Sequence, residues 1–169
     1  SAYRQSTNQV FQDFYVVWRL DEKGELNKDL PDVLKRRMES VESSLVDDLA
    51  PARQCFVKAR HFLERRNDPE NAIKESVSMV ESVGRILYPQ ATTLGDVLKE
   101  AKKHGQVPEL LVAALEKFWA FANAESGIRH GGTQHSRVQG ADAELCFHIS
   151  IAAVRYLLEV VPREDATRH

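Results

Sequence analysis

Residues 141–160 of the chain have the sequence ADAELCFHISIAAVRYLLEV, in which apolar residues far outnumber charged ones. The segment is too long for a typical strand, and it contains no glycine or proline that would end a helix. A helix that is apolar on nearly all sides is usually a buried one. We therefore expect residues 141–160 to form the central helix of a helical bundle.

Helical patterns also dominate the sequence before this segment, because apolar residues recur at steps of three or four. Pro51 lies inside one pattern, so we expect either a kink there or a new helix with Pro51 in its first turn. Asp68 before Pro69 is typical of a helix start, and Gly105 is typical of a helix end. The predicted helices cover about 9–20, 41–63, 69–87, 93–104, 108–122 and 141–160.

The segment VFQDFYVVWRL at residues 10–20 contains aromatic and β-branched residues that suit both a helix and a strand. We find no partner strand elsewhere in the sequence, so we predict a helix. The following segment, DEKGELNKDLPD, contains Gly24 and Pro31 and is predicted to be a solvated connector. The predicted fold class is therefore all-α, a bundle of about six helices.

The composition favours one globular domain, since 169 residues with 43% hydrophobic content can bury a core. We predict an N-terminal helical extension at about 1–50, a core at 51–160 and a polar tail at 161–169. Cys55 and Cys146 lie in helical patterns and are expected to be reduced thiols, which favours the cytoplasm. No apolar run approaches 18 residues, so no membrane segment is expected. The net charge of −2 gives no global attraction to polyanions, so any such partner needs a local patch.

Polar chemistry is concentrated between the last two predicted helices, in the segment Arg129-His130-Gly-Gly-Thr-Gln-His135 followed by Arg137. Histidine exchanges protons near neutral pH, and arginine binds phosphate oxygens through a planar fork. The glycines leave the backbone room to bring these side chains together. This combination would suit chemistry on a phosphodiester.

The chain from about Phe56 to Glu159 resembles a known family through four segments: NDPENAIKESVSMVESVGRIL, TTLGDVLKEAKK, FWAFANAESGIRHGG and ADAELCFHISIAAVRYLLE. Together they are similar to the C-terminal domain of bacterial abortive-infection proteins, a branch of the HEPN superfamily. The resemblance implies a four-helix core, a homodimer and a metal-independent endoribonuclease of antiphage or toxin-antitoxin defence. It also implies a composite site formed by the motif loops of two protomers.

The HEPN signature is an arginine, a polar residue and a later histidine, which correspond to Arg129, His130 and His135. The resemblance implies that His135 acts as base or acid at the ribose 2′-hydroxyl or the 5′ leaving oxygen. Arg129 would neutralise the phosphate, and His130 would orient or assist. Arg137, Lys102 and Lys103 are the candidate substrate-binding residues. The implied partners are RNA, with a tRNA loop as one candidate, and a regulatory or inhibitory protein; no metal or other cofactor is expected.

Plainer interpretations of the same residues stay open. Arg129 could cap helix carbonyls while His135 is simply solvated, and the domain would then be a non-catalytic module for dimerisation or protein binding. The apolar helix from Leu145 to Leu158 supports this alternative, because it offers much hydrophobic surface. His148 is expected to be a core or interface residue. The aromatic residues Phe118 and Trp119 are expected to lie in the core rather than to stack on bases.

Overall fold

The structure, a computed structural model, describes residues 1–14, 16, 18–28, 30–124 and 138–162. These residues contain seven α-helices and one two-stranded sheet, so the prediction of an all-α fold is confirmed. A 3-10 turn at Asp47–Leu49 precedes the third helix, and a π-helical turn at Phe62–Arg66 follows it. The elements are α1 Ala2–Asp13, β1 Trp18–Leu20, β2 Leu26–Lys28, α2 Asp32–Ser44, α3 Ala50–His61, α4 Pro69–Leu87, α5 Leu94–Lys103, α6 Glu109–Ala124 and α7 Gly140–Val160.

The chain divides into two compact units, one from Ser1 to Ser40 and one that begins at Val41. The sequence placed the end of the N-terminal extension at about residue 50. In the structure the division falls within α2.

The first unit contains an antiparallel hairpin, so the prediction of a helix over residues 9–20 is wrong at Trp18–Leu20, which form β1. The segment predicted to be a connector supplies the partner strand, with Leu20 opposite Leu26. Gly24 allows the turn between the strands at φ +80°, and the Asp21 carboxylate accepts the backbone N–H groups of Lys23 and Glu25 at 2.9 Å. The short strand β2, which lies in a polar segment, therefore provides hydrogen-bond partners for the backbone of β1.

Asn8 joins α1 to this hairpin. Its side-chain amide donates to the carbonyl oxygen of Leu20 at 2.9 Å and accepts the N–H of the same residue at 2.8 Å. Both polar atoms of the amide are thus used by one backbone position, as a neighbouring strand would use them. This pair of hydrogen bonds fixes the helix beside β1.

The second unit is a helical bundle in which α4 is the central helix, whereas the sequence predicted that role for residues 141–160. The helix α4 contacts α3, α5, α6 and α7, and α7 packs chiefly against α4. The physical reason is that α4 has two adjacent rows of buried residues where the sequence pattern suggested one. These residues are Ala72, Ile73, Ser76, Val77, Met79, Val80, Val83 and Gly84.

Gly84 allows the close approach of α4 and α5. A β-carbon at this position would lie 2.4 Å from Cγ2 and 2.8 Å from Cγ1 of Val97, far inside van der Waals contact. Val97 is fully buried and β-branched, so it cannot move aside easily. The glycine sets the spacing between these two helices.

The local signals at the helix ends are confirmed. Pro51 lies in the first turn of α3, which is a separate helix from α2. Asp68 caps α4 by accepting the N–H of Asn71 at 3.1 Å, and Gly105 follows α5 with φ +66°. Within residues 1–124 and 138–162, as far as the structure describes them, no helix is long and apolar enough to span a membrane.

Candidate functional site

The predicted catalytic residues Arg129, His130 and His135, together with Arg137, lie outside the residues that the structure describes. The structure does describe the two helices on either side of this segment. The first, α6, ends at Ala124, and the second, α7, begins at Gly140. The predicted helices on both sides of the motif are therefore present.

The start of α7 is fixed by a local hydrogen bond. The backbone N–H of Gln139 donates to Oδ2 of Asp142 at 2.8 Å. A carboxylate in the first turn also interacts favourably with the positive end of the helix dipole. The start of α7 is thus set by Asp142 within the helix and by Gln139 directly before it.

Lys102 and Lys103, the predicted substrate-binding lysines, lie in the last turn of α5 and are exposed. The ammonium of Lys102 is hydrogen-bonded to the Glu109 carboxylate, which raises the pKa of Lys102 and lowers that of Glu109. The Nζ atom of Lys103 lies 3.6 Å from Oε2 of Glu100. Because exposed ion pairs are weak, a phosphate could exchange for either carboxylate. Both lysines are nevertheless paired with acids in the free protein.

Two histidines outside the motif have defined surroundings. The ring of His104 stacks on Tyr88 with centroids 6.3 Å apart, and its Nε2 lies 3.5 Å from Oε2 of Glu100. His148 on α7 is partly buried, with its ring 5.8 Å from that of Phe147. Trp119 is only 4% exposed, which confirms its predicted place in the core.

Both cysteines are free thiols in weakly reactive surroundings. Burial raises the pKa of Cys146 to about 11, and burial together with the Glu75 carboxylate raises the pKa of Cys55. A cysteine needs its thiolate form to act as a nucleophile. Neither thiol is therefore a good candidate for catalysis at neutral pH.

The first unit contains a polar cavity that the sequence analysis missed, because it depends on the hairpin. Its volume is about 300 Å³, and it lies between α1 and the start of β1. Sequence could have indicated it only if β1 had been predicted, since a continuous helix leaves no such cavity. The lining residues are Arg4, Gln5, Asn8, Gln9, Phe11, Gln12, Val16, Trp18 and Arg19.

Comparison of the chain with protein-family models, curated proteins and solved structures gave no match. The function is therefore argued from the chain's own residues.

Proposed function

We propose that the chain is a metal-independent endoribonuclease of the HEPN type, which acts as a homodimer in antiphage or toxin-antitoxin defence. The observation that carries the proposal is the Arg129-His130-x4-His135 segment set between two long helices, α6 and α7. The helical bundle around α4 is the kind of fold that this family requires. The residue types of the segment support a role in chemistry, because histidine exchanges protons near neutral pH and arginine binds phosphate oxygens.

The proposed reaction is attack of a ribose 2′-oxygen on the neighbouring phosphorus. A bond forms between the 2′-oxygen and phosphorus, and the bond from phosphorus to the 5′-oxygen breaks. An imidazole of His135 takes the 2′-hydroxyl proton or gives a proton to the leaving 5′-oxygen. The guanidinium of Arg129 neutralises the charge that develops on the phosphate, and His130 orients the reacting groups. The products are a 2′,3′-cyclic phosphate and a free 5′-hydroxyl.

A homodimer fits the acid and base requirements of this reaction. One His135 imidazole cannot be neutral to accept the first proton and charged to donate the second in the same step. Two motif segments facing one phosphate would supply both forms. The proposed enzyme therefore has a composite site with one His135 from each protomer.

A structured RNA is the proposed substrate. The chain carries a net charge of −2, and a surface of that charge attracts long RNA poorly. A folded RNA such as a tRNA presents one exposed loop to a small site, so it requires few phosphate contacts. A toxic activity of this kind also requires restraint in the cell, for which we propose a protein partner.

Incubation of the purified protein with RNA in excess EDTA tests the proposal. We expect cleavage in EDTA with 2′,3′-cyclic phosphate ends, because the proposed reaction uses no metal ion. A matched RNA with 2′-O-methyl groups should stay intact, since it lacks the attacking hydroxyl. Cleavage that stops in EDTA, or that is equal for both RNAs, would contradict the proposal.

A second candidate function, a module that dimerises without catalysis, is favoured by a specific feature of α6. The sequence suggested surplus apolar surface on the last helix, but α7 fully buries half of its apolar residues, and Leu145 is its one large hydrophobic residue that is clearly exposed, at 58%. The surplus lies on α6, where Leu110 is 85% exposed and Phe121 39% exposed. Such exposed apolar surface is typical of a protein interface.

Three exposed apolar residues of α6, Leu110, Ala114 and Phe121, lie along one side of the helix, which also carries the exposed Lys117. We propose a second copy of the chain as the partner of this α6 face. Substitution Leu110→Glu should then raise the dissociation constant of the dimer at least about tenfold, because a carboxylate would replace a leucine that the proposed dimer buries. Analytical ultracentrifugation over a range of concentrations measures this.

The matched control is Leu145→Glu, which places the same charge at an exposed leucine of α7. If both variants dimerise like the parent chain, the α6 face is not the interface. If dimerisation is lost while RNA cleavage persists at the parent rate, the composite nuclease site is also wrong.

A further inference from the structure

The cavity in the first unit has the size and lining of a binding site for a small ligand. A volume of about 300 Å³ is at the lower end of the range for ligand pockets in proteins. One wall comes from α1, and the other comes from Val16, Trp18 and Arg19. The double hydrogen bond between Asn8 and Leu20 holds these two walls together.

The charge of the cavity favours an anion. Two arginines, Arg4 and Arg19, line it, and none of its described lining residues is acidic. Arg4 lies 3.4 Å from Glu22, whose side chain is 90% exposed and therefore well solvated. Arg19 has no ion pair with any residue that the structure describes. A phosphate can thus approach both guanidinium groups without displacing a buried partner.

The other lining residues favour a flat ligand with polar edges. Trp18 is 41% exposed, so part of its indole ring is open for stacking. Among the amides, Gln9 donates to Asp13 at 2.8 Å and Asn8 is used by Leu20. The remaining amides, of Gln5 and Gln12, each offer one acceptor and two donors. Amides of this kind match the edge of a nucleobase.

We propose that this cavity binds one unpaired nucleotide of a single-stranded RNA. The base stacks on Trp18 with its edge toward Gln5 and Gln12, and its phosphate lies between Arg4 and Arg19. Stacking on aromatic residues with backbone phosphates held by arginine is the usual way proteins bind single strands. An acidic peptide would also suit the arginines, but the exposed indole of Trp18 and the amides of Gln5 and Gln12 would then have no ligand group to contact.

The choice of RNA over other single strands rests on the proposed function, in which RNA is the substrate. The first unit would then supply recognition of an unpaired base, and the segment between α6 and α7 would supply the chemistry. The binding of an unpaired nucleotide can be measured without cleavage. Failure of one proposal is therefore distinguishable from failure of the other.

The test is the affinity of the full chain for a fluorescein-labelled oligouridine, measured by fluorescence anisotropy in the His135→Ala background so that the RNA stays intact. Trp18→Ala should weaken binding about tenfold or more, whereas Trp18→Phe, which keeps an aromatic ring, should stay within about threefold of the parent. Arg19→Ala should make the plot of log affinity against log salt concentration less steep, by about the amount that one phosphate contact contributes. The matched control is Arg37→Ala, which removes the same charge at an exposed site on α2 outside the cavity.

Equal affinity of the parent, Trp18→Ala and Arg19→Ala would overturn the proposal. So would an equal loss in Arg19→Ala and Arg37→Ala, since the effect would then be one of overall charge. Two results together would assign the cavity to an acidic peptide instead: polyglutamate displaces the RNA, and Trp18→Ala binds the RNA as tightly as the parent chain does. Circular dichroism identifies any variant that fails to fold. If Trp18→Ala fails to fold, Arg19→Ala still tests the proposal, because Arg19 is exposed on the hairpin surface. Cleavage by the wild-type chain, assayed separately, reports on the nuclease alone.

Discussion

Alanine at His135 is expected to lower the rate of RNA cleavage by about 10²- to 10⁴-fold, the usual contribution of a general acid or base. The imidazole of His135 accepts and releases protons readily near neutral pH, and it lies at the position of the later histidine in the HEPN signature that the segment resembles. In a homodimer the substitution removes both copies from the composite site. Single-turnover kinetics with a defined RNA in EDTA measure the chemical step directly.

The control for this substitution is His61→Ala, since His61 is exposed on α3 and lies outside the motif. Arg129→Ala should reduce cleavage by a comparable factor through loss of phosphate neutralisation, with Arg37→Ala as its control. Thermal unfolding verifies that each variant is folded. If His135→Ala and His61→Ala cleave at the same rate, the motif is not catalytic, and the dimerisation module becomes the better account.

Alanine at Phe147 is expected to reduce the free energy of unfolding by about 3–5 kcal/mol, the typical cost of removing a buried phenylalanine ring. Phe147 on α7 is 1% exposed, and its ring lies 5.5 Å from that of Phe56 on α3, which is fully buried. The substitution removes this aromatic contact and leaves a cavity between the two helices. Chemical denaturation followed by circular dichroism provides the measurement.

Leu145→Ala serves as the comparison, because Leu145 is on the same helix and 58% exposed. Its effect should stay within about 0.5 kcal/mol. Phe147→Leu should fall between the two, since leucine fills part of the space. A loss at Phe147→Ala no greater than that at Leu145→Ala would show that α7 does not contribute to the core in the way the structure describes.

Much of the helical fold could be predicted because its signals are local. Pro51, Asp68 and Gly105 each determine a helix end through their own backbone or side chain, and the structure confirms all three ends. The identity of the central helix could not be predicted in the same way. Whether α4 or α7 lies in the middle depends on which helices pack together, and a single-helix pattern does not contain that information.

The hairpin and its cavity could not be predicted for a related reason. β1 is only three residues long, and its partner β2 lies within a polar segment with Gly24 as its turn. Short strands are stabilised by their pairing and by contacts such as that of Asn8, which lies 12 residues from Leu20. The proposed catalytic motif is the opposite case, because its residue types are evident in the sequence and its geometry is not.

The hydrogen bond from Gln139 to Asp142 bears on how the chain can change during evolution. Since α7 begins through an interaction between its own neighbours, insertions, deletions or replacements upstream of Gln139 need not shift the register of the helix. Sequence changes in the motif segment can then accumulate without disturbing the packed core. Relatives of this protein could therefore differ widely in the length and composition of that segment and still pack α7 against α4 in the same way.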